Sequence, residues 1–391
     1  MSAPGLYVHI PFCPQICPYC AFAKVLDRPD QHQRYIDAVC RELEASCWRP
    51  QLGTGAFATV FVGGGTPSLI DPPLLAQVLD AAQHGRGLAA GAEITVEANP
   101  GSADAERFAA LRRAGFNRLS IGVQAFDDVS LRSLGRVHDV AAAAAALNAA
   151  RLAGFDNVSL DLISGVPGSG AGAWRATIER AIGLQPEHIS AYALTVEEGT
   201  WFAARQAAGQ LKTASEAEEA ETQVWTSRRL REAGYEHYEV SNFALPGRRS
   251  RHNWGYWSGV PYLGVGVSAH SYDGCTRSWN HPDLHHYFEA VEAGDSPRAG
   301  SEFLDRETRL CERIWLGLRT CEGVKLADRD LETLLTSERL NQLCGSGYLS
   351  LDGARLCVTD SGRPLADALG IEVTTILEGV RSKPATALAV T

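Results

Sequence analysis

The stretch Leu6-Tyr7-Val8-His9-Ile10-Pro11-Phe12-Cys13, continued by Cys17, Tyr19 and Cys20, runs a short apolar segment straight into three closely spaced cysteines. Leu6–Ile10 reads as a β-strand, and Cys13, Cys17 and Cys20, spaced Cys-x3-Cys-x2-Cys, fall on the loop after it. Three thiolates then converge on one loop. A tetrahedral zinc site needs four ligands, and no second close cysteine pair exists; His9 is a candidate fourth ligand but sits on the strand. An iron–sulfur cubane is held by three thiolates if its fourth iron takes an exogenous ligand, and an open iron means chemistry or substrate binding. Structural zinc and unligated thiols are the plainer readings of the same spacing.

Outward from this stretch, short β-branched runs recur at Ala58–Val62, Glu93–Ala98, Arg118–Val123, Asn157–Ile163 and His188–Leu194, with a shorter one near His237–Val240. Helical segments lie between them. Tyr35, Ile36, Val39 and Leu43 follow helical spacing, Ser102 is positioned to cap a helix that Gly115 ends, Gly154 ends an alanine-rich helix, and Gly234 stops another. Six or seven βα repeats predict an α/β fold: a complete or partial (β/α) barrel, with a doubly wound open sheet as the rival. From about Asn280 the pattern changes to helices around Arg306–Leu318 and Asp328–Leu343, then extended pieces Tyr348–Leu351 and Arg355–Thr359 around an Asp352-Gly353 turn. This reads as a small winged-helix-like α+β module. The expected division is a core over 1–279, the module over 280–379 and a disordered tail over 380–391.

Composition narrows the function. The chain has 391 residues, 45% hydrophobic and 21% charged, and its ten cysteines are far too few for a disulfide scaffold. Met1-Ser2-Ala3-Pro4-Gly5 has neither the basic region nor the apolar stretch of a signal peptide, so a cytoplasmic, reducing setting is expected. The charge of −10, and a winged module without a dense basic run, argue against nucleic-acid binding. Cys40, Cys47, Cys275, Cys311, Cys321, Cys344 and Cys357 are scattered and read as core or surface thiols.

A second signal, Gly63-Gly64-Gly65-Thr66-Pro67, follows the second strand directly. Consecutive glycines let backbone amides approach a ligand and form a concave, anion-accepting surface, although such a run is also an ordinary tight turn. Glu97 ends the third strand, Gln124 follows the fourth and Asp161 lies in the outer half of the fifth. Polar residues thus accumulate at the carboxyl ends of successive strands, where parallel α/β folds build active sites.

The Leu6–Cys20 stretch, with Gly63–Pro67, Val96–Pro100, Leu119–Phe126, Asp161–Gly168 and Tyr192–Thr200, resembles the radical S-adenosylmethionine (SAM) superfamily. Within it, the chain resembles the branch of oxygen-independent coproporphyrinogen III oxidases and HemW-type haem chaperones. The resemblance implies a radical-SAM barrel in which Cys13, Cys17 and Cys20 bind three irons of a [4Fe-4S] cluster, SAM chelating the fourth. It implies that Tyr7 and Tyr19 line the SAM site, that Gly64, Gly65 and Thr66 meet its methionine end, and that Glu97 accepts from its ribose. Gln124, Arg136 and Asp161 match further SAM contacts, Arg136 being also readable as a solvated surface charge. The oxidases carry a fourth cysteine where this chain has Phe22, and an extension ahead of the cluster loop where only six residues precede Tyr7. Both departures favour the chaperone branch.

Arg251-His252-Asn253-Trp254-Gly255-Tyr256-Trp257 is similar to the His-Asn-x-x-Tyr-Trp motif of HemW-type proteins. Haem is a large apolar disc whose iron favours imidazole, so a histidine flanked by aromatics suits it, although such a histidine is often simply packed. The resemblance implies haem binding by His252, Asn253, Tyr256 and Trp257, with His270, His281, His285 and His286 as competing or second ligands and Trp254 and Trp279 as packing residues. It implies haem as cargo, acceptor haemoproteins such as respiratory enzymes as partners, and a homodimer as one possible assembly. Oxidative decarboxylation of coproporphyrinogen III, and a purely structural iron–sulfur or zinc protein, are the alternatives.

Overall fold

A computed structural model of the chain describes residues 3–47, 52–102 and 104–381, so nearly all of the tail expected to be disordered lies outside the described residues. Six strands, β1 (Gly5–Ile10), β2 (Phe57–Gly64), β3 (Leu88–Ala98), β4 (Arg118–Gln124), β5 (Val158–Ser164) and β6 (His188–Ala193), lie side by side in chain order, each parallel to the next. Helices α1 (His32–Ser46), α2 (Pro72–Gly85), α3 (Ala105–Arg113), α4 (Asp128–Ser133), α5 (Val140–Leu152) and α6 (Ala171–Leu184) fill the crossovers. After β6 come α7 (Trp201–Ala207), α8 (Glu216–Glu232), β7 (Asn242–Ala244), α9 (Arg251–Trp257) and β8 (Tyr262–Val265). These six strands follow chain order without the reversal that a doubly wound sheet makes among its successive βα units, so the barrel reading holds over its rival. The barrel is partial: β1 pairs on its free side with β8, and β6 with the antiparallel β7.

Each core strand has two chemically different faces. Leu6, Val8, Ile10, Val60, Val62, Val96, Leu119, Ile121, Leu160, Leu162 and Ile189 are fully buried and join Tyr35, Ile36, Val39 and Leu43 of α1 in one core. The alternate residues, Glu93, Thr95, Glu97, Arg118, Ser120, Ser159, Asp161, His188 and Ser190, are polar and face the barrel interior. Parallel strands ordinarily read as continuous apolar runs because both faces are buried. A polar interior costs stability unless its groups bond each other or a ligand, so this face marks function.

Local punctuation departs from expectation at two helices. Asp104, not Ser102, caps α3, its carboxylate accepting from the Arg107 N–H at 2.8 Å, while the Ser102 hydroxyl is held by Ser68 and the Asn99 carbonyl. The expected helix over Asp328–Leu343 is two, Asp328–Leu335 and Glu338–Gly345, because the Ser337 hydroxyl caps the Leu340 N–H and starts a new one. Helix Arg306–Leu318 has its expected bounds.

Contacts divide the chain into two units. One comprises residues up to Glu236, Ser241–Tyr256 and Val260–Phe303; the other comprises His237–Val240, Trp257–Gly259 and everything from Leu304 onward. In the second, Val324–Lys325, Arg355–Val358 and Leu349–Asp352 form a three-stranded antiparallel sheet, the last two as the expected hairpin. Its core is built from Ile314, Leu318, Leu334, Leu340, Leu356 and Val373. Among the described residues no helix is long and apolar enough to cross a membrane.

Candidate functional site

The cysteine loop leaves β1 and is pinned back onto it. Phe12–Cys13 pairs with Val25–Leu26, the Val25 N–H donating to the Pro11 carbonyl at 2.8 Å and the Asp27 N–H to the Cys13 carbonyl at 2.9 Å. Buried His9 fastens the loop from beneath: Nε2 bonds the Ala23 carbonyl at 2.8 Å and Nδ1 bonds the Tyr7 hydroxyl at 2.9 Å. Both ring nitrogens serve these bonds, and His9 does not line the cavity that the three cysteines line, so it stands beneath the loop and not beside the thiols as a fourth ligand. Burial lowers its pKa to about 4, which keeps the ring neutral.

The loop walls a cavity of about 590 Å³ at the carboxyl ends of the strands. Cys13, Cys17, Tyr19 and Cys20 line it, as do Gly64, Gly65, Thr66, Glu97, Gln124, Arg136 and Asp161 from the rim. Tyr7 does not; it lies one layer deeper, its ring stacked on Phe61 at 6.3 Å. Among the described residues no three His, Cys, Asp or Glu side chains converge closely enough to hold a single metal ion. A polynuclear cluster attaches each thiolate to a different iron and so tolerates thiols spread along one wall, which is the donor set present.

Against Cys13 the glycine turn is required by close packing. A Cβ on Gly65 would stand 2.7 Å from the Phe12 carbonyl oxygen and 2.9 Å from the Cys13 sulfur. One on Gly64, at φ +114°, would overlap the His9 ring. The Gly64 N–H donates to the Glu97 carboxylate at 3.0 Å, and Thr66 accepts from the Asn99 amide at 2.8 Å. Asn99 also accepts from Arg136, whose guanidinium donates to the Gly122 carbonyl at 2.9 Å and reaches the Cys17 sulfur at 3.6 Å. Arg136 is therefore a cavity residue and not a solvated surface charge. Gln124 adopts φ 68°, a conformation side chains rarely take and one that clusters at functional sites. Asn99 is the residue that motif reading passed over: it lies inside Val96–Pro100, but its bridging role is visible only in space.

Charge inside the barrel is concentrated. Ser120 and Ser159 hydroxyls donate to Asp161 at 2.9 and 3.2 Å, and Ser159 also bonds His188 at 2.8 Å. Burial, with Asp161 adding to it, pushes the Glu97 carboxyl up to about 7 against the pull of the Gly64 N–H and Arg118. Asp161 is raised by burial, its hydroxyl donors and Arg118 opposing the shift. Such displaced carboxyls in a cleft mark a functional site.

His252 lies at the other end of the same barrel, near the amino-terminal ends of the strands. It is 3% exposed, and both ring nitrogens are bonded, Nδ1 to Thr59 and Nε2 to Tyr256, each at 2.8 Å. Glu93 anchors the start of α9 by accepting from the Arg251 and His252 N–H groups at 3.0 Å. Burial lowers the His252 pKa to about 3, with Arg118 contributing. His252, Tyr256 and Trp254 line a pocket of about 280 Å³ there; Asn253 and Trp257 are half-buried and do not line it. His270 stacks on Trp279 at 5.9 Å, while His281, His285 and His286 gather around helix Leu284–Glu292; none lines the His252 pocket. Thr59 and Glu93 carried no motif signal, since they meet α9 only across the barrel.

The profile of the radical SAM superfamily matches residues 7–181, and that of the HemN C-terminal domain matches 304–365. Heme chaperone HemW of Mycobacterium tuberculosis is 39% identical over 93% of this chain and 93% of its own length. Heme chaperone HemW of Bacillus subtilis is 34% identical over 92% and 96%. The mouse radical S-adenosyl methionine domain-containing protein 1, mitochondrial, is 41% identical over 93% and 86%. The solved structure of coproporphyrinogen III oxidase (HemN) from Escherichia coli superposes with a TM-score of 0.78 at 25% identity, covering 95% of this chain and 90% of that one. On this likeness, carried through barrel, cysteine loop and carboxyl-terminal unit, the chain belongs to the HemW family of the radical SAM superfamily.

Proposed function

We propose that the protein is a haem chaperone: it binds haem through the His252 motif and passes it to acceptor haemoproteins, respiratory enzymes among them. The observation that carries this reading is the pairing, in one barrel, of a three-thiol cavity with a separate histidine–aromatic pocket, in a chain whose relatives are named haem chaperones. Cys13, Cys17 and Cys20 would hold a [4Fe-4S] cluster, which when bound supplies an open iron and a low-potential electron. Gly64, Gly65 and Thr66 would receive the methionine end of SAM, Glu97 its ribose hydroxyls, and Tyr19, Gln124, Arg136 and Asp161 would complete the pocket. Tyr7 would act from the layer below, through His9 and the loop. His252 would supply the imidazole for haem iron. Its Thr59 bond orients the ring, and its low pKa leaves the ring neutral, the form that ligates metals.

The deciding experiment is anaerobic reconstitution followed by haem titration and a coproporphyrinogen III turnover assay on the same sample. Stable haem binding without protoporphyrinogen formation is expected. Turnover at enzymatic rates would overturn the chaperone reading.

Glu97 offers a second test. Its carboxyl titrates near 7 in the folded protein and near 4.5 in the unfolded chain, so between these values the folded state holds the extra proton and stability falls as pH rises. Glu97→Gln is expected to raise the Tm above neutral pH while weakening SAM binding by about tenfold or more in calorimetry. An unchanged affinity would remove Glu97 from the site.

A further inference from the structure

The pocket beside His252 opens at the amino-terminal mouth of the barrel, bounded by the first residues of β1, β2 and β8. In parallel barrels that face ordinarily serves stability, with function at the opposite rim. Here it carries two arginines and an aromatic wall. Arg249 and Arg251 line the pocket together with Trp254, Tyr256 and Tyr262. Tyr256 and Tyr262 meet edge to face at 4.6 Å, and the Arg249 guanidinium lies 5.3 Å over the Trp254 ring. Both arginines are held in place, Arg249 by the Glu236 carboxylate at 3.1 Å and Arg251 by the Gly91 carbonyl at 2.8 Å. Two held guanidinium groups beside a cluster of aromatic rings, on a chain of net charge −10, make a local receptor for an aromatic ligand bearing carboxylates.

We propose that this pocket receives the propionate-bearing edge of haem, with Arg249 and Arg251 pairing the carboxylates and Trp254, Tyr256 and Tyr262 bordering the macrocycle. This rests on the reading of His252 as part of the haem site and extends it to residues outside the His-Asn-x-x-Tyr-Trp motif. About 280 Å³ is at the small end for a ligand site, so the pocket takes an edge of the disc and leaves the rest outside. The depth is limited from within. A Cβ on Gly5 would already stand 3.0 Å from Thr59 and 3.3 Å from the His252 ring, and Tyr256 occupies His252 Nε2. Iron ligation therefore requires Tyr256 to release the imidazole, whereas the carboxylate pairing does not. Arg251 is the stronger anchor, because Glu236 already neutralises part of Arg249.

The test compares haem, haem dimethyl ester and iron-free protoporphyrin IX, titrated into the wild-type protein and into Arg249→Gln/Arg251→Gln. Wild type is expected to bind haem more tightly than the ester, and protoporphyrin reads the carboxylate pairing without iron ligation. The double variant is expected to lose about 10- to 100-fold for the two free acids and nothing for the ester. Arg249→Lys/Arg251→Lys is expected to keep most of the preference. A wild-type protein that binds the ester as well as haem overturns the proposal without recourse to any variant, and so does a double variant that keeps the full preference. In both cases the haem reading stands. Failure of the wild type to bind any of the three overturns both readings.

Discussion

Cys17→Ser, reconstituted anaerobically, is expected to lose the cluster's visible absorbance and SAM binding together. A serine hydroxyl stays protonated near neutral pH and is a far poorer iron ligand than a thiolate, and two remaining thiols cannot hold a cubane that already has one open iron. The change also removes the sulfur that Arg136 reaches at 3.6 Å, loosening the guanidinium that bridges Asn99 and Gly122. Fold stability is expected to stay close to that of the cluster-free wild type. Cys17 is half-buried and does not belong to the main apolar core. A full cluster spectrum from Cys17→Ser would refute the three-cysteine assignment. A collapsed Tm would show that the residue is structural.

His252→Ala is expected to act on two properties at once. Haem affinity should fall by at least about tenfold with the loss of an axial imidazole, read from the Soret band in titration. Stability should fall as well. The imidazole is buried between Thr59 and Tyr256, and its removal leaves a cavity and two hydroxyls without their partner, a loss of about 2–4 kcal/mol. For a unit of this size that corresponds to a drop of roughly 3–7 °C in Tm. Thr59→Val separates the effects, because it removes the orienting bond and keeps the ring. The pH response has a definite sign. The buried ring titrates near 3 and the unfolded one near 6.5, so the unfolded chain alone takes up the proton between these values and stability falls as pH falls. His252→Ala should abolish that part of the acid sensitivity. Unchanged haem binding in His252→Ala would move the ligand to another histidine.

By itself the sequence determined the features that depend on neighbours along the chain. Strand positions, the run of βα units, helix Arg306–Leu318 and the hairpin around Asp352-Gly353 all follow from periodicity and turn chemistry acting over a few residues. The three thiols fall on one loop for the same reason: a spacing of three or four residues leaves them little room to part. Where local signals competed, the chain alone did not decide. Ser102 and Asp104 both suit a helix start, and it was the capture of Ser102 by Ser68 and Asn99 that left the cap to Asp104. Likewise, no local rule separated a closed barrel, a partial one and an open sheet. Pairing of β1 with β8, more than 250 residues later, made the barrel partial.

Only the tertiary structure decided which polar residues share a site. Arg136 reads equally as a solvent-facing charge until the fold brings it to Cys17, 119 residues away in sequence. Thr59 and His252 are 193 residues apart, and their contact makes the motif's histidine a buried, doubly bonded imidazole at the barrel's amino-terminal mouth. The physical reason is the two-residue alternation of a strand. It sends every second side chain into the barrel, but which of those side chains meet there depends on register between strands and on a helix that returns across the mouth.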